Sequence, residues 1–502
     1  MSITSVAIIG LEAEPVIVEA DVHRGQTAFF IVGLPDTAVK ESKERIIFAI
    51  KNSGLWFPRW HLTINLSPAN IKKQGTIHDL AMALSIIEAQ KKFTPKSIKD
   101  SVFIGELGIH GEIRGVTGTL IAAIMAKEKG YKKIFVPREN INEALLIEGL
   151  EIFAVDNLKE VVSHLCGETT LVPAKAKQIT TPTAISTVDF SDIRGQEHAK
   201  RGLEVAAAGG HNLLMHGPPG SGKTLLARAL PTILPNLTQS EALEVTKIFS
   251  IAGALNAGQG LFTERPFRSP HHSCSAAALI GGGSWPRPGE VSLAHRGVLF
   301  LDEFPEFSRH VLEHLRQPIE DGVVTISRAL ASFRFPAKFM LVAAMNPCPC
   351  GYAGDQAINC SCSPMRIANY KKKISGPLLD RVDLTVSVPR VETDKLTGRA
   401  VGESSEVVRA RVQTARDRQI KRFSDLGIVS NSEMSPRMVA EHCELDEEGK
   451  KLLFAAMERW HLSARAYTRT LKLARTIADL DQNEKITPAH LAEALSYRPQ
   501  GE

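Results

Sequence analysis

The stretch HNLLMHGPPGSGKTLLARAL, His211–Leu230, decides the fold. A short apolar run, Leu213–Met215, leads into a glycine-rich turn. The turn leads into a helical pattern, Leu225–Leu230, that Pro231 is expected to stop. Gly217, Pro218, Pro219, Gly220, Ser221, Gly222, Lys223 and Thr224 spell G-x-x-x-x-G-K-T, with Leu225 next. Strand, loop and helix in this order make a phosphate cradle, because glycines let backbone N–H groups and a helix N-terminus face anionic oxygens. Lys223 is expected to reach the β- and γ-phosphates of ATP, and Thr224 to hold Mg²⁺.

Further along, RGVLFLDEF places an apolar strand, Val298–Leu301, before Asp302 and Glu303. An acid at such a strand end suits Mg²⁺, and the next acid suits a water-polarising role. FMLVAAMNPCPC is a third apolar strand, ending at Asn346, whose amide suits positioning of the attacking water. GPLLDRVDL places Arg381 after a helix end, where it is suited to reach a phosphate on a neighbouring subunit.

Composition bounds the rest. The chain has 502 residues, 43% hydrophobic and 23% charged, and a net charge of +5. This is ordinary for a globular protein of two to four domains and excludes disordered, collagen-like and coiled-coil classes. The mild positive charge permits a polyanionic partner without requiring one. No apolar stretch is long enough to span a membrane, and the start lacks a basic region before Glu12 and Glu14. Seven cysteines without a secretory signal point to a reducing cytoplasm.

The expected architecture is α/β. Residues 1–170 mix strand runs (AIIG, AFFIVGL, LTINLSP, SVFIGELG, KKIFVP, LEIFAV) with helices at Lys40–Ser53 and Asp79–Gln90. Residues 171–188, rich in Thr, Ala and Pro, read as a linker; 189–390 hold the P-loop core; 391–502 read as a helical bundle. Ser435-Pro436 and Thr487-Pro488 mark helix starts in the last region.

Four cysteines, Cys348, Cys350, Cys360 and Cys362, form C-x-C, nine residues, C-x-C. Four converging thiolates suit a closed structural Zn²⁺ site, and Gly351 and Gly354 allow the loop to fold back. Reduced free thiols are the alternative. Cys166, Cys274 and Cys443 are isolated and read as packing residues.

The order GPPGSGKT, GVLFLDE, AAMNPCPCG, GPLLDRVDL, SARAYTRTLKLARTIADL resembles an AAA+ ATPase with a helical lid. From FFIVGLPDTAVKESKERI to HLAEALSYR the chain resembles the magnesium-chelatase-like ComM/YifB family. That resemblance implies a homohexameric ring. It makes Asn346 the sensor-1 residue, Arg381 a finger acting in trans and Arg465 the sensor-2 arginine, with Arg469 as the alternative. It further implies a DNA motor for branch migration in natural transformation, acting on single-stranded and branched DNA.

Two insertions, Thr263–Glu290 and Glu320–Phe339, correspond to pore hairpins, the second with Asp321-Gly322 as its turn. Arg268, Arg328 and Arg334 are the candidate DNA contacts there. FIGELGIHGEIRGVTGTLIAAIMAKEKGYKKIFVPREN, Phe103–Asn140, resembles the proteolytic domain of Lon, which implies a Lon-like domain with a ribosomal-S5-like fold over residues 1–170. The place of the nucleophile, Gln74–Leu80, has no Ser, and that of the base, Val116–Leu120, has no Lys. Acyl transfer is therefore not expected, which leaves a structural or DNA-docking role. The competing function is a motor subunit of a metal chelatase. Such motors are expected to lack the Lon-like domain and the four-cysteine loop.

Overall fold

Strand β1 (Ile3–Ile9) turns at Gly10, where φ is +63°, and pairs antiparallel along its length with β2 (Glu12–His23). Around this pair, in the computed structural model, β3 (Ala28–Val32), β4 (His61–Ser67), β5 (Ser101–Phe103), β8 (Lys133–Pro137) and β9 (Glu151–Val155) complete a mixed sheet. Its order is β3-β4-β2-β1-β5-β8-β9. A small ladder, β6 (Glu106–Leu107) with β7 (Ile113–Arg114), lies apart. All six expected strand runs form, and the longest strand, β2, is an addition. Helices Thr37–Asn52 and Asp79–Glu88 form where the spacing placed them, the second buried at every residue. Phe103, Phe135 and Phe153 stack across β5, β8 and β9 with centroids 4.6 and 4.7 Å apart. Such cross-strand pairs fix the register of one face.

The structure describes residues 2–91, 93, 95–175, 188–255, 260–283, 286–328, 331–355, 357–391 and 402–498. They divide into two compact units. The first is Met1–Pro182 with Gln239–Thr263 and Ser327–Phe335; the second is Thr183–Thr238, Glu264–Ile326 and Pro336–Glu502. In the first unit helix Gln239–Ala252 is tied to the start of helix Thr119–Glu128: the Gly118 N–H donates to the Ser250 carbonyl at 3.1 Å. The Ser250 hydroxyl donates to Glu143 at 2.6 Å. Most of the expected linker, 176–187, lies outside the described residues.

The second unit is built on an all-parallel sheet of β10 (Leu213–His216), β11 (Phe267–Arg268), β14 (Val298–Leu301), β17 (Met340–Met345) and β18 (Leu384–Ser387). The order is β11-β14-β17-β10-β18. Strands β14 and β17 are buried at every residue, as continuous apolar runs in a parallel sheet covered on both faces require. A short ladder of β12 (Gly281–Gly282) with β13 (Arg287–Pro288) lies in the first expected insertion, and the second insertion holds strands β15 (Val323–Arg328) and β16 (Ala331–Pro336).

Two local expectations are corrected. Helix Lys223–Ile233 runs through Pro231 rather than stopping before it. Pro231 falls in the last turn, where a missing N–H costs little further structure. Asp321-Gly322 is not a hairpin turn: Asp321 ends helix Arg316–Asp321, and Gly322, at φ +65°, caps it by donating to the Pro318 carbonyl at 2.9 Å. A left-handed glycine after Asp serves a helix C-terminus as well as a type I′ turn.

The C-terminal bundle comprises Ser405–Arg422, Pro436–His442, Glu447–Trp460, Ala464–Leu480 and Pro488–Ser496. Ser435 and Thr487 cap their helices as expected, each accepting from the N3 amide with Pro at N1. Buried Asp479, in Ala464–Leu480, ties that helix to Ser405–Arg422 and to the turn Asn431–Glu433: Arg422 at 2.5 Å, Asn431 at 2.9 Å and Arg475 of its own helix at 3.1 Å all donate to it. Charges taken out of water persist only when paired in this way.

Candidate active site

The phosphate loop follows β10 because β10 is central and parallel: the Gly217 N–H continues the ladder by donating to the Met345 carbonyl at 3.2 Å. A Cβ on Gly217 would lie 2.0 Å from the Val388 carbonyl, so only glycine fits. Gly220 and Gly222 take φ of +74° and +94°. Left-handed residues of this kind turn successive N–H groups toward one side, which is what an anion needs. Lys223 opens the helix, and its ammonium is held by neutral partners: the carbonyls of Gly217 and Pro218, each at 2.8 Å, and Asn346 Oδ1 at 3.2 Å. Burial lowers its pKa, with Asp302 opposing. A half-dehydrated cation with only neutral acceptors fits a polyphosphate.

Asp302, at the end of β14, accepts from the Thr224 hydroxyl at 2.7 Å. A hydroxyl and a carboxylate in contact are the hard-oxygen pair that Mg²⁺ takes. Asn346 ends β17 between them. The carboxyl ends of β10, β17 and β14 thus bring Gly217–Thr224, Asn346 and Asp302 into one row, the usual place for a ligand on an open α/β sheet.

Glu303 stands beside the row with φ +51°, and its carboxylate lies 3.4 Å from His272 Nδ1. The sequence reading missed His272; the signal was the pair His271-His272 in the first insertion, whose rings lie 4.1 Å apart. Gln196 was also missed. It adopts φ +62°, and its amide donates to the Ser221 carbonyl at 3.4 Å, bracing the loop from behind.

The expected arginines lie elsewhere. The Arg381 carbonyl accepts from Asn212 Nδ2 at 2.8 Å, and Asn212 precedes β10 whereas the phosphate loop follows it. The two are a strand length apart, about 13 Å. Arg381 pairs with Glu320, and Arg465 lies 3.5 Å from the same carboxylate. The two guanidiniums hold Glu320 below its ordinary pKa, Arg381 contributing most. Arg469 joins this corner by donating to the Val382 carbonyl at 2.5 Å. Within one chain, then, the finger and sensor-2 candidates share a carboxylate and do not meet the phosphate loop.

The four cysteines do converge: their sulfurs all lie within 4.8 Å of one another. Cys348–Cys350 is 3.3 Å, Cys350–Cys360 3.5 Å and Cys348–Cys360 3.7 Å. A tetrahedron of sulfurs about 2.3 Å from a central ion has edges of about 3.8 Å. N–H groups of Tyr352 and Ser361 lower Cys350 to about 6, while burial and the neighbouring sulfurs raise Cys360 to about 11 and push Cys362 up as well, so one thiol of the cluster is favoured as the thiolate. The loop touches the phosphate loop, since a Cβ on Gly351 would fall 2.4 Å from the Pro219 ring. Of the DNA candidates, Arg334 is exposed on β16. Arg268 is engaged by Glu290 at 2.6 and 2.8 Å. The Arg328 side chain lies outside the described residues.

Comparison with known proteins gives a consistent result. Residues 189–396 match the family described as magnesium chelatase, subunit ChlI; 18–140 match subunit ChlI of Mg-chelatase; 402–498 match the ChlI C-terminal family. YifB of Escherichia coli (strain K12) is 44% identical over 497 residues, 98% of this chain and 96% of that protein. Competence protein ComM of Haemophilus influenzae is 42% identical over 501 residues, with the same coverage of 98% and 96%. Because a ChlI match covers 18–140, the first region does not by itself set the chain apart from chelatase subunits.

Replacing Lys223 by Ala removes the cation that faces the phosphates. Nucleotide binding is expected to weaken by about 2–5 kcal/mol, measured by titration calorimetry, with an unchanged circular-dichroism spectrum.

Proposed function

Because the chain belongs to the ComM/YifB family of magnesium-chelatase-like proteins, we propose that it is an ATP-hydrolysing ring, a homohexamer, that moves branch points in DNA. The observation that carries this reading is the row of phosphate loop, Asn346 and Asp302–Glu303 along one sheet edge. The competence in the relative's name supplies the setting: uptake of foreign DNA and its recombination.

Bound MgATP would supply the phosphoryl transfer whose energy drives movement. Lys223 and the loop amides bind the phosphates; Thr224 and Asp302 hold the metal. Asn346 orients a water, and Glu303, once it turns from His272, takes that water's proton. Arg381 completes a neighbour's site, with Arg465 beside it. The Arg381 carbonyl lies at the Asn212 end of β10 and not at the phosphate-loop end, which supports that reading. The grip on DNA must be electrostatic and sequence-blind, since a motor that reads bases would stall. Exposed Arg334 suits this role, and Arg268 would have to leave Glu290 to share it.

We read the first unit as a Lon-like module without protease chemistry, since Gln74–Leu80 offers His78 and Asp79, both buried, and no serine. We read the four cysteines as a structural Zn²⁺ site that steadies the phosphate loop through Gly351 and Pro219. A second reading, a chelatase motor subunit, is favoured by the ChlI matches along the chain.

Metal analysis should find about one zinc per chain, lost when Cys360 and Cys362 become Ser; a folded, metal-free wild type would return the cluster to free thiols.

Arg381→Ala should be inactive alone. Mixed with Lys223→Ala it should regain ATPase activity where an intact loop meets an intact finger. No recovery in mixtures shown to exchange subunits would exclude action in trans.

The whole reading is tested on a labelled Holliday junction. ATP, but not a non-hydrolysable analogue, should separate it into duplex arms, and Glu303→Gln should bind ATP and leave the junction intact. ATP hydrolysis unaffected by any DNA would favour the chelatase reading.

A further inference from the structure

The first unit carries an exposed aromatic surface that the nucleotide site does not use. Trp56 and Trp60 occupy one short loop, Leu55–Trp60, between helix Thr37–Asn52 and β4. They are 50% and 42% exposed, and Phe30 on edge strand β3 is 50% exposed. Leaving three large rings half in water forgoes hydrophobic stabilisation that folding alone would have recovered. The rings meet in three pairs on β3, on the loop before β4 and at the start of β4. Trp56 and Trp60 are 6.0 Å apart and nearly perpendicular at 74°. Phe30 stands 5.2 Å from His61, and Phe29 stands 6.4 Å from Phe57. Phe29 and Phe57 are packed on the core.

Cations are interleaved with the rings. Arg24 lies 6.0 Å from the Trp60 ring, Lys43 5.7 Å from both Phe29 and Phe30, and Lys51 5.9 Å from Phe57. Arg59 is exposed between the two tryptophans in sequence. Residues 21–61 hold six Lys or Arg against four Asp or Glu. Of the four acids, Asp36 caps the helix and Asp21 is held by His23 at 2.9 Å. Rings that present faces in two directions, beside cations on flexible stems, match a chain of flat bases joined by phosphates. Each base stacks on a ring while its phosphate meets a cation. Lys43 already donates to the Phe29 carbonyl, but a purely apolar partner would bury Arg24, Lys51 and Arg59 without an anion.

We infer that Trp56, Trp60 and Phe30, with Arg24, Lys43, Lys51 and Arg59, form a stacking platform for single-stranded nucleic acid. The inference rests on the DNA-motor reading and gives the first unit a role in it, which is to hold a displaced strand without sequence preference.

The test uses the full chain and a labelled oligothymidylate, followed by fluorescence anisotropy at low and high salt. Trp56→Ala with Trp60→Ala should weaken binding about tenfold or more. Trp56→Phe with Trp60→Phe keeps a ring at each place and should stay within a few-fold of wild type. ATPase activity without DNA should be the same in all three proteins. If the alanine pair binds oligothymidylate as wild type does, while DNA still stimulates ATPase, the platform is wrong and the motor reading survives. If the wild type binds no DNA at all, both fail. If instead the tryptophans are needed for binding phosphatidylglycerol vesicles or for self-association, and not for the oligonucleotide, the surface is a membrane or subunit contact and the inference is overturned.

Discussion

Everything at the nucleotide site depends on the parallel ladder of β10, β17 and β14. Leu213 to His216 pair with Val342 to Met345, and Val298 to Leu301 pair with Met340 to Ala343. This register makes the phosphate loop, Asn346 and Asp302 emerge at one edge. A slip of one residue would turn each strand's side chains to the opposite face and carry the site residues off the row. The ladder is held by burial on both faces, so the core residues and the catalytic geometry are the same commitment.

Around that row the chain holds its chemistry in check with its own groups. Lys223 rests on carbonyls and an amide, Glu303 faces His272, and Arg381 and Arg465 share Glu320. Lys223 is buried among neutral acceptors, whereas the Glu303–His272 and Arg465–Glu320 contacts are exposed, and exposed ion pairs are worth about 1 kcal/mol or less. Ligand or subunit binding can therefore exchange them at small cost. An arrangement in which each reactive group has a weak local partner is suited to a cycle with repeated rearrangement.

The four-cysteine loop and the aromatic loop are different kinds of attachment. The first is stitched to the site, because Cys348 lies two residues from Asn346 and Gly351 abuts Pro219. A metal held there would bear on the shape of the phosphate loop. The second leads into β4, next to edge strand β3 of the other sheet.

The phosphate loop, the acid pair, Asn346, the cysteine pairs, six strands of the first sheet and the helix caps were all legible in the sequence. Each is written within one element: glycines where φ must be positive, a carboxylate after an apolar run, a hydroxyl before a helix. Strand β2 was not legible. Glu12, Glu14, Pro15, Glu19 and Asp21 hide the buried Val16 and Val18, and the strand exists because β1 and β4 flank it on both sides. Gly322 was ambiguous for a related reason, since a cap and a hairpin turn ask for the same residue. Tertiary structure alone decided that His272 meets Glu303, that Arg465 comes to Arg381 over Glu320, and that the cysteine loop leans on Pro219. These partners are separated by tens to more than a hundred residues. Nothing in local spacing specifies which distant side chain arrives; the packing of the sheet and its insertions does.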